Sequence, residues 1–304
     1  MPDEIYALFR ELFPYVNRAK EKVLAILSHP GTVIFEERKD GGELVGCAVV
    51  HGQTVLLLMV REDCRGHGMG SRLLERCERT IREAGYDRAV LGVGFDYIMP
   101  GVPTSRRYAG SVHERLHPAV NTMASDFFER RGYYHAWGEC NCFDMAMDLR
   151  DFRGGHRVGD TVCDVHYRWA VGEDLEKILA CADDACQYQE DKFSVYYRDP
   201  RLYREENDTR VLLAQKQDEI VGLLMVSRET EGKGLGSVGC TCVASRAMHR
   251  GIGTELVRIG TRYLKDRGLE EACLGFTYSG LDRLYGASGY MITTYYFMGE
   301  KALH

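Results

Sequence analysis

Two short glycine-rich segments carry the residue types with the clearest chemical potential in the sequence. The first reads Arg65-Gly66-His67-Gly68-Met69-Gly70-Ser71, between an apolar, strand-like run and apolar residues at helical spacing. Alternating glycines let successive backbone N–H groups point into one concavity, and a following helix adds unpaired N–H groups and the positive end of its dipole. The segment therefore predicts an anion-binding turn, with phosphate as its expected ligand.

The pattern recurs later in the chain, as Met248-His249-Arg250-Gly251-Ile252-Gly253-Thr254. Spacing argues against two other phosphate-binding loops. A Walker loop ends in Gly-Lys-Ser/Thr, and neither segment has a lysine at that place. A dinucleotide fingerprint needs glycine at its first, third and sixth positions directly after a strand, whereas the sixth position here is Ser71 and further residues separate strand and turn.

The surrounding sequence is also repeated, which predicts two copies of one domain. Three landmarks keep their order: the strand-like runs Glu43–Val50 and Glu219–Val226, the glycine turns, and the pairs Gly132-Tyr133 and Gly289-Tyr290. The first copy is longer, and we assign the extra residues to an insert at 95–120. The predicted domains are residues 1–152 and 160–304, joined by a stretch without periodicity.

Hydrophobic periodicity assigns matching elements to the two copies. Val- and Leu-rich runs predict strands before the turns at Thr32–Arg38, Leu44–His51 and Val55–Val60, and at Arg210–Gln215, Glu219–Ser227 and Ser237–Val243. Apolar residues at helical spacing predict a helix after each turn, ending near Gly85 or Gly268. Further strands are predicted at Ala89–Val93, Ala272–Phe276 and Val162–Ala170.

The pattern Arg/Gln-x-x-Gly-x-Gly/Ala after a strand resembles that of the GNAT superfamily of N-acetyltransferases. The first turn matches it as Arg65-x-x-Gly68-x-Gly70, and in the second Met248 replaces the Arg or Gln. The resemblance implies an α/β (α+β) fold class, with two tandem GNAT-like domains that each have a mixed, mostly antiparallel central sheet flanked by helices. It also implies acetyl-coenzyme A (acetyl-CoA) as co-substrate, without a metal.

The resemblance places the pyrophosphate of acetyl-CoA in the two turns. The implied binding residues are Arg65, Gly66, His67, Gly68, Met69, Gly70 and Ser71 in the first copy, and Arg250, Gly251, Ile252, Gly253 and Thr254 in the second. In the superfamily, a backbone N–H near the end of the preceding strand meets the thioester carbonyl. Here that residue is Met59 or Val60 in the first copy and Cys242 or Val243 in the second.

Acetyl transfer to an amine needs a donor for the developing oxyanion, a proton acceptor for the amine and a proton donor for the departing thiolate. The superfamily's proton donor is a tyrosine four residues before the glycine of the final Gly-aromatic pair. That position is Tyr285 in the second copy and Phe128 in the first, and phenylalanine has no proton to give. We therefore favour chemistry in the second copy, with Tyr285 as its catalytic residue.

The general base stays open at this point. Neither third strand carries a carboxylate, although this class often places a glutamate there or works through ordered water. The candidates are Asp96, His113 and Glu114 in or near the insert, and Asp282 in the second copy. For each of them, a solvated loop residue without a chemical role is the alternative interpretation.

Composition limits the classes of function. The 304 residues are 45% hydrophobic and 28% charged, typical of folded globular proteins. Lys and Arg number 39 against 45 for Asp and Glu, and without a basic stripe the net charge of −6 argues against a nucleic-acid partner. No apolar run approaches the roughly 20 residues of a bilayer span, so we expect no membrane partner. Without a secretory pattern, the expected location is cytoplasmic, where the 11 cysteines stay reduced.

Together these patterns predict an acetyltransferase. It moves an acetyl group from acetyl-CoA to an amine of a small molecule or peptide by direct attack. The alternative is a non-catalytic protein that binds or senses acyl-CoA, motivated by Phe128, Met248 and the missing strand carboxylates.

Overall fold

The two glycine turns follow strands of two different sheets. The computed structural model of the protein describes residues 2–14, 19–91, 98, 102–103, 126–135, 142–185, 193–228, 234–278, 280–296 and 298–304. The helices are α1 (Pro2–Leu12), α2 (Lys20–Leu27), α3 (Met69–Glu83), α4 (Leu175–Ala185), α5 (Ile252–Asp266) and α6 (Leu281–Gly286). The glycine turns lie directly before α3 and α5.

The first sheet has the strand order β1-β2-β3-β4-β15-β6. Its strands are β1 (Thr32–Arg38), β2 (Leu44–His51), β3 (Thr54–Val60), β4 (Arg88–Leu91), β6 (Tyr134–His135) and β15 (Gly299–Ala302); β5 (Val102–Pro103) belongs to the second sheet. Strands β1 to β3 form an antiparallel meander, β3 and β4 are parallel, and β15 is antiparallel to both neighbours.

The second sheet has the strand order β5-β14-β7-β13-β12-β11-β10-β9-β8. Its other strands are β7 (Cys142–Asp148), β8 (Thr161–Val162), β9 (Val165–Trp169), β10 (Thr209–Lys216), β11 (Glu219–Ser227), β12 (Leu235–Val243), β13 (Glu271–Tyr278) and β14 (Met291–Tyr296). Strands β8 to β12 are successively antiparallel, and β12 and β13 are parallel. Two mixed, mostly antiparallel sheets flanked by helices confirm the predicted fold class.

One predicted strand was wrong in form. The run Val162–Ala170 is a hairpin, in which β8 and β9 pair across a two-residue turn. Cys163 and Asp164 occupy that turn with φ of 46° and 65°. Two consecutive left-handed residues reverse the chain in the manner of a type I′ turn, for which Asn-Gly is the usual sequence signal.

The first sheet is covered on both faces. On one face, α3 buries Leu73, Leu74, Cys77 and Ile81, which repeat at helical spacing, against residues of the sheet such as Val45. The helices α1 and α2 cover the other face with a second apolar cluster. This arrangement fixes α3 against the sheet, and with it the turn from which the helix begins.

In the second sheet, small residues let α5 approach the strands closely. A Cβ atom on Gly260 would lie 2.7 Å from Leu224 Cδ2, and one on Gly222 would lie 2.9 Å from Leu256 Cδ1. A side chain at either position would force the facing leucine to shift, because real Cβ atoms essentially never approach so closely. Glycine at both positions therefore allows the close packing of α5 that positions the second turn.

The chain forms two compact units that are not contiguous in sequence. The first unit takes in the chain's last residues, Thr294–His304, and the second takes in Asp144–Thr293. Strand β15, which closes the second sequence repeat, thus lies in the sheet of the first unit, whereas β7 lies in the second sheet. The predicted domains, 1–152 and 160–304, describe the order of motifs along the chain and stay a prediction.

A partly buried ion pair fastens β15 to the first unit. Lys301 Nζ lies 2.8 Å from Glu78 Oε2 on α3, and the two side chains are 27% and 11% exposed. We expect Lys301→Ala to lower the free energy of unfolding of the first unit by about 2–4 kcal/mol, because it leaves the Glu78 carboxylate buried without its cation. Urea unfolding followed by fluorescence measures this loss.

The matched control lies on the same strand. Glu300 pairs with Arg88 at 3.2 Å, and the arginine side chain is half-exposed. Arg88→Ala is expected to change the free energy of unfolding by less than about 1 kcal/mol, since exposed pairs contribute little. Equal losses in the two variants would contradict an anchoring role for Lys301.

Candidate functional site

The first glycine turn presents a row of backbone donors. Gly66 and Gly68 have φ of 80° and 77°, and α3 begins at Met69. The first helical bond that reaches back into the turn is from Arg72 N to Gly68 O, at 3.0 Å. Within the described part of the chain, the N–H groups of residues 66–71 have no acceptor. The turn thus offers an exposed set of donors at the positive end of a helix.

The second turn has the same construction. His249 and Gly251 have φ of 61° and 80°, α5 begins at Ile252, and the first helical bond into the turn is from Glu255 N to Gly251 O, at 2.9 Å. Among the described residues, the N–H groups of residues 249–254 also have no acceptor. Met248, which replaces the expected Arg or Gln, is 39% exposed.

A cavity of about 320 Å³ opens beside the second turn. Its lining includes Arg250 and Gly251 of the turn, the cation Lys216, and the carboxylates Asp164 and Glu255. Lys216 is paired with Asp164 at 2.9 Å, whereas Arg250 forms no ion pair with any described residue. An unpaired guanidinium next to free backbone donors makes this end of the turn favourable for an anion.

The arginine of the first turn has an internal role. Arg65 Nε donates to the carbonyl of Val60 at 2.9 Å, which ties the turn to the end of β3. The second turn keeps its backbone conformation with Met248 at this position, so the tie is not required for the donor array. The assignment of Arg65 to pyrophosphate binding stays a prediction.

Sequence reasoning missed a cation at the first turn. Arg131 donates to Ser71 Oγ at 2.6 Å and to the carbonyl of Phe127 at 2.7 Å, and its guanidinium stacks on the Phe127 ring at 3.8 Å. A Cβ atom on Gly70 would lie 3.2 Å from that ring, so the turn and Phe127 are in close contact. The only sequence signal was the pair Arg130-Arg131 before Gly132.

The strand before the second turn separates from its parallel neighbour. Among the described residues, strands β12 and β13 pair at Leu235↔Glu271, Gly236↔Ala272 and Ser237↔Cys273, although both strands continue further. We call the space between them beyond these pairs the strand gap. In the first unit, β3 and β4 pair at Thr54↔Val90 within the described residues.

Hydrogen-bond alternation selects which strand-end amides face away from the preceding strand. Ala244 N donates to Val221 O at 3.0 Å, so the next pair, Val243↔Gly222, is a non-hydrogen-bonded pair. The Val243 N–H therefore points away from β11, toward the strand gap. Strand β3 follows the same rule, because Arg61 N donates to Val45 O and Val60 lies opposite Gly46. The N–H groups of Met59 and Cys242 instead point toward the preceding strands, β2 and β11 respectively.

Strand β12 contains a bulge next to these amides. Cys242 lies opposite Leu223 and Gly239 opposite Met225, so β12 has one residue more than β11 across this stretch. Within it, Cys240 has a left-handed φ of 49°, which is uncommon for a residue other than glycine. Strand β3 of the first unit instead pairs residue for residue from Leu57 to Val60.

Tyr285 lies at this bulge. Its hydroxyl is 2.8 Å from Thr241 Oγ1, and its side chain is 3% exposed. Burial raises the pKa of Tyr285 to about 12, against the opposing effect of the Thr241 hydrogen bonds, so the hydroxyl keeps its proton at neutral pH. Thr241 was not among the predicted site residues. In the first unit, the corresponding positions hold Leu58 and the buried Phe128.

The structure bears on one of the four candidate bases. Asp282 is 3% exposed, and its Oδ1 accepts from Gly280 N, directly before α6, at 2.7 Å. This carboxylate is thus already engaged with the backbone of the turn before α6. Asp96, His113 and Glu114 lie outside the described residues.

The model of the acetyltransferase (GNAT) family matches residues 3–97 and 172–285. The chain belongs to the GNAT family. The two matched regions place one glycine turn each in a GNAT segment, so this GNAT protein is a tandem one. No curated protein sequence matches the chain.

Solved structures share the fold of this tandem GNAT protein. A GCN5-related N-acetyltransferase from Sphaerobacter thermophilus superposes with a TM-score of 0.69 at 19% identity, over 100% of this chain and 94% of that one. A tandem GNAT protein from the clavulanic acid biosynthesis pathway gives 0.61 at 15% identity, over 100% and 95%.

A third structure is much longer than this chain. The GCN5-related glucosamine N-acetyltransferase region of a fungal multi-domain GH3 β-N-acetylglucosaminidase gives a TM-score of 0.72 at 20% identity, over 98% of this chain. The chain spans 36% of that fungal protein. At these identities, the likeness is one of fold.

Two further properties of the GNAT protein concern metals and membranes. Among the residues with described positions, no three His, Cys, Asp or Glu side chains are grouped so as to hold a metal ion. None of the described helices combines the length and apolar character needed to cross a bilayer.

Proposed function

We propose that the protein transfers an acetyl group from acetyl-CoA to an amine of a small molecule or peptide, and that the second unit performs the chemistry. The observation that carries the proposal is the position of Tyr285. A protonated, buried hydroxyl lies at the bulge of the strand that leads into a turn with free backbone donors. The donor array thus follows the end of β12, the strand gap lies beside this strand, and the acid on α6 contacts its Thr241.

The binding part of the proposal rests on the turn. The N–H groups of residues 250–254 and the Arg250 guanidinium hold the diphosphate, and the first turn offers its own N–H groups with Arg131. A diphosphate at a helix N-terminus benefits from several short charge-assisted hydrogen bonds and from the helix dipole. Acetyl-CoA is a co-substrate in this proposal and supplies the thioester.

The chemical part rests on the strand end. The Val243 N–H donates to the carbonyl oxygen as negative charge develops there when the amine attacks the carbonyl carbon. Tyr285 then gives its proton to the sulfur as the carbon–sulfur bond breaks. The amine loses a proton to a base that we leave unassigned, and the proposal does not assign this role to Asp282, whose Oδ1 already accepts from Gly280 N.

The first unit is proposed to bind without catalysing. It offers a donor array of the same kind, but Phe128 and Leu58 replace the two hydroxyl-bearing residues of the second unit. An apolar pair cannot protonate a thiolate. The first unit therefore provides structure or a second binding turn.

Release of free thiol in the presence of amines tests the proposal. The panel contains amino sugars, polyamines, amino acids and peptides, and it includes glucosamine because a structural neighbour carries that name. We expect thiol release above the amine-free rate with at least one member. Folded protein that binds CoA but releases no thiol with any amine would favour the alternative of a non-catalytic acyl-CoA binding protein.

A further inference from the structure

The bulge in β12 decides which side chains face Tyr285. Before the bulge, Gly236 and Val238 face α5: a Cβ on Gly236 would lie 2.8 Å from Leu264 Cδ2, and one on Gly260 would lie 3.4 Å from Val238 Cγ1. In a regular strand, alternate residues continue on the same face. Residues 240 and 242 would then face α5, and Thr241 would face the opposite side of the sheet.

The extra residue reverses this alternation. After the bulge, Val243 faces α5, since a Cβ on Gly253 would lie 3.3 Å from Val243 Cγ2. Thr241 faces α6, where its hydroxyl is 2.8 Å from the hydroxyl of Tyr285. A shift of one residue moves every following side chain to the other face. The contact between Thr241 and Tyr285 therefore exists only while the bulge exists.

One side chain holds the bulge from the opposite face. Tyr197 is fully buried, and its hydroxyl donates to the carbonyl of Cys240, the residue with the left-handed φ. The same hydroxyl lies 3.9 Å from Cys242 Sγ, which faces away from α5. A non-glycine residue in this conformation is strained by roughly 1–3 kcal/mol, and such strain persists only where surrounding contacts hold it.

The orientation of the Cys240–Thr241 peptide follows from that bond. In a trans peptide, the carbonyl of one residue and the N–H of the next point in opposite directions. With the Cys240 carbonyl directed at Tyr197, the Thr241 N–H points toward the face of Tyr285. The Thr241 backbone accordingly lowers the pKa of Tyr285, because it stabilises the ionised form of the tyrosine hydroxyl.

We infer that Tyr197 is a positioning residue, which fixes the β12 bulge so that the hydroxyl and N–H of Thr241 hold Tyr285 in place as the proton donor. The inference rests on the proposed function. The titratable groups whose charge would act on the Tyr285 hydroxyl are Cys240 and Cys242 on β12, and the Tyr290 ring packs edge-on at 6.1 Å between centroids.

The inference predicts a specific pattern in kinetics. Tyr197→Phe keeps the aromatic ring and removes the hydrogen bond to the Cys240 carbonyl. We expect kcat to fall about 10-fold and KM for acetyl-CoA to stay within about twofold. The change disturbs proton donation and leaves the binding of acetyl-CoA unaffected. In a Tyr285→Phe background, the same change is expected to have almost no further effect. A purely structural role would multiply the two losses, because independent effects add in free energy.

The matched control removes another hydroxyl from the same aromatic cluster. Tyr203 donates to the carbonyl of Tyr197, not to the bulge. Tyr203→Phe is expected to keep kcat within about twofold, because it leaves the Cys240 bond in place. A complementary test restores the bulge through a residue that prefers its backbone conformation. Adding Cys240→Gly to Tyr197→Phe removes the strain of the positive φ at this position. The double variant is expected to recover at least about a third of the lost kcat.

A readout without turnover separates this inference from the proposed function. Amide hydrogen exchange of the peptide that covers β12 is expected to accelerate in Tyr197→Phe and to match wild type in Tyr203→Phe. Unchanged exchange in β12, or an unchanged kcat in Tyr197→Phe, would overturn the positioning role even if the enzyme is active. Absence of thiol release by the wild type, together with accelerated exchange in Tyr197→Phe, would overturn the proposed chemistry and leave the role of Tyr197 in the bulge supported.

Discussion

Replacing Gly251 by aspartate is expected to weaken binding of acetyl-CoA to the second unit by at least about 100-fold, or about 3 kcal/mol, because the carboxylate repels the diphosphate. The fold can accept the side chain, since a Cβ at Gly251 meets nothing within 4 Å. Aspartate also tolerates a positive φ better than most residues do. Titration calorimetry with acetyl-CoA measures the loss, and the same variant is expected to lose most of its acetyl transfer.

Asparagine at the same position is the matched control. Gly251→Asn has nearly the same size and conformational preference as the aspartate variant but carries no charge, so its affinity is expected to stay within about fivefold of wild type. Gly68→Asp tests the first turn in the same way. If Gly68→Asp abolishes acetyl transfer and Gly251→Asp does not, the chemistry belongs to the first unit and the assignment to Tyr285 is wrong.

Tyr285→Phe is expected to lower kcat about 100-fold, at the lower end of what a general acid contributes. The aromatic ring still fills its place against Tyr290, so KM for acetyl-CoA is expected to stay within about twofold. Steady-state kinetics with the best amine of the panel supplies both values. The effect depends on a hydroxyl that keeps its proton at neutral pH, in line with the raised pKa of this buried side chain.

Tyr290→Phe provides the control for this prediction. Its hydroxyl is buried and lies 2.8 Å from Thr261 Oγ1, so the variant also removes a core hydrogen bond beside Tyr285. A drop in melting temperature without a comparable drop in kcat is expected. Similar kcat losses in Tyr285→Phe and Tyr290→Phe would indicate general destabilisation and would count against proton donation by Tyr285.

The glycine turns and the sheets that precede them could be predicted because their signals are local. Glycine spacing, apolar runs and helix periodicity each depend on residues close together in sequence. The strands Thr32–Arg38, Leu44–His51 and Glu219–Ser227 have the predicted bounds. Among the described residues, most other predicted strands agree with the observed strands to within two residues at each end. Such differences are expected, because strand ends are less well defined than the type of element.

The bulge could not be predicted in this way. Nothing in Gly239-Cys240-Thr241-Cys242 distinguishes a bulged strand from a regular one, because the extra residue is defined only by the pairing with β11. An alternating pattern would have placed Thr241 on the wrong face. Arg131 and Tyr197 were missed for a related reason, since each acts on a residue far away in sequence, Ser71 and Cys240 respectively.

The sequence also did not predict which sheet the strands near the repeat ends would join. Strands β7 and β15 both lie near the end of a repeat, but β7 is mostly apolar and buried whereas β15 reads Gly-Glu-Lys-Ala, so no shared pattern assigns them to a sheet. The ion pair of Lys301 and Glu78 links β15 to the first sheet's helix α3. The two residues are more than 200 positions apart in sequence, so neither of them predicts the other as its partner. Contacts of this range become visible only in three dimensions.

The most direct measurement is a calorimetric titration of the wild-type protein with coenzyme A. If the two turns are built for a diphosphate, heat of binding with at least one site per chain will be seen, and Gly251→Asp will remove or weaken it. A folded protein that gives no binding heat at several temperatures would contradict the account, because unpaired amides at two helix N-termini would then have no nucleotide to hold.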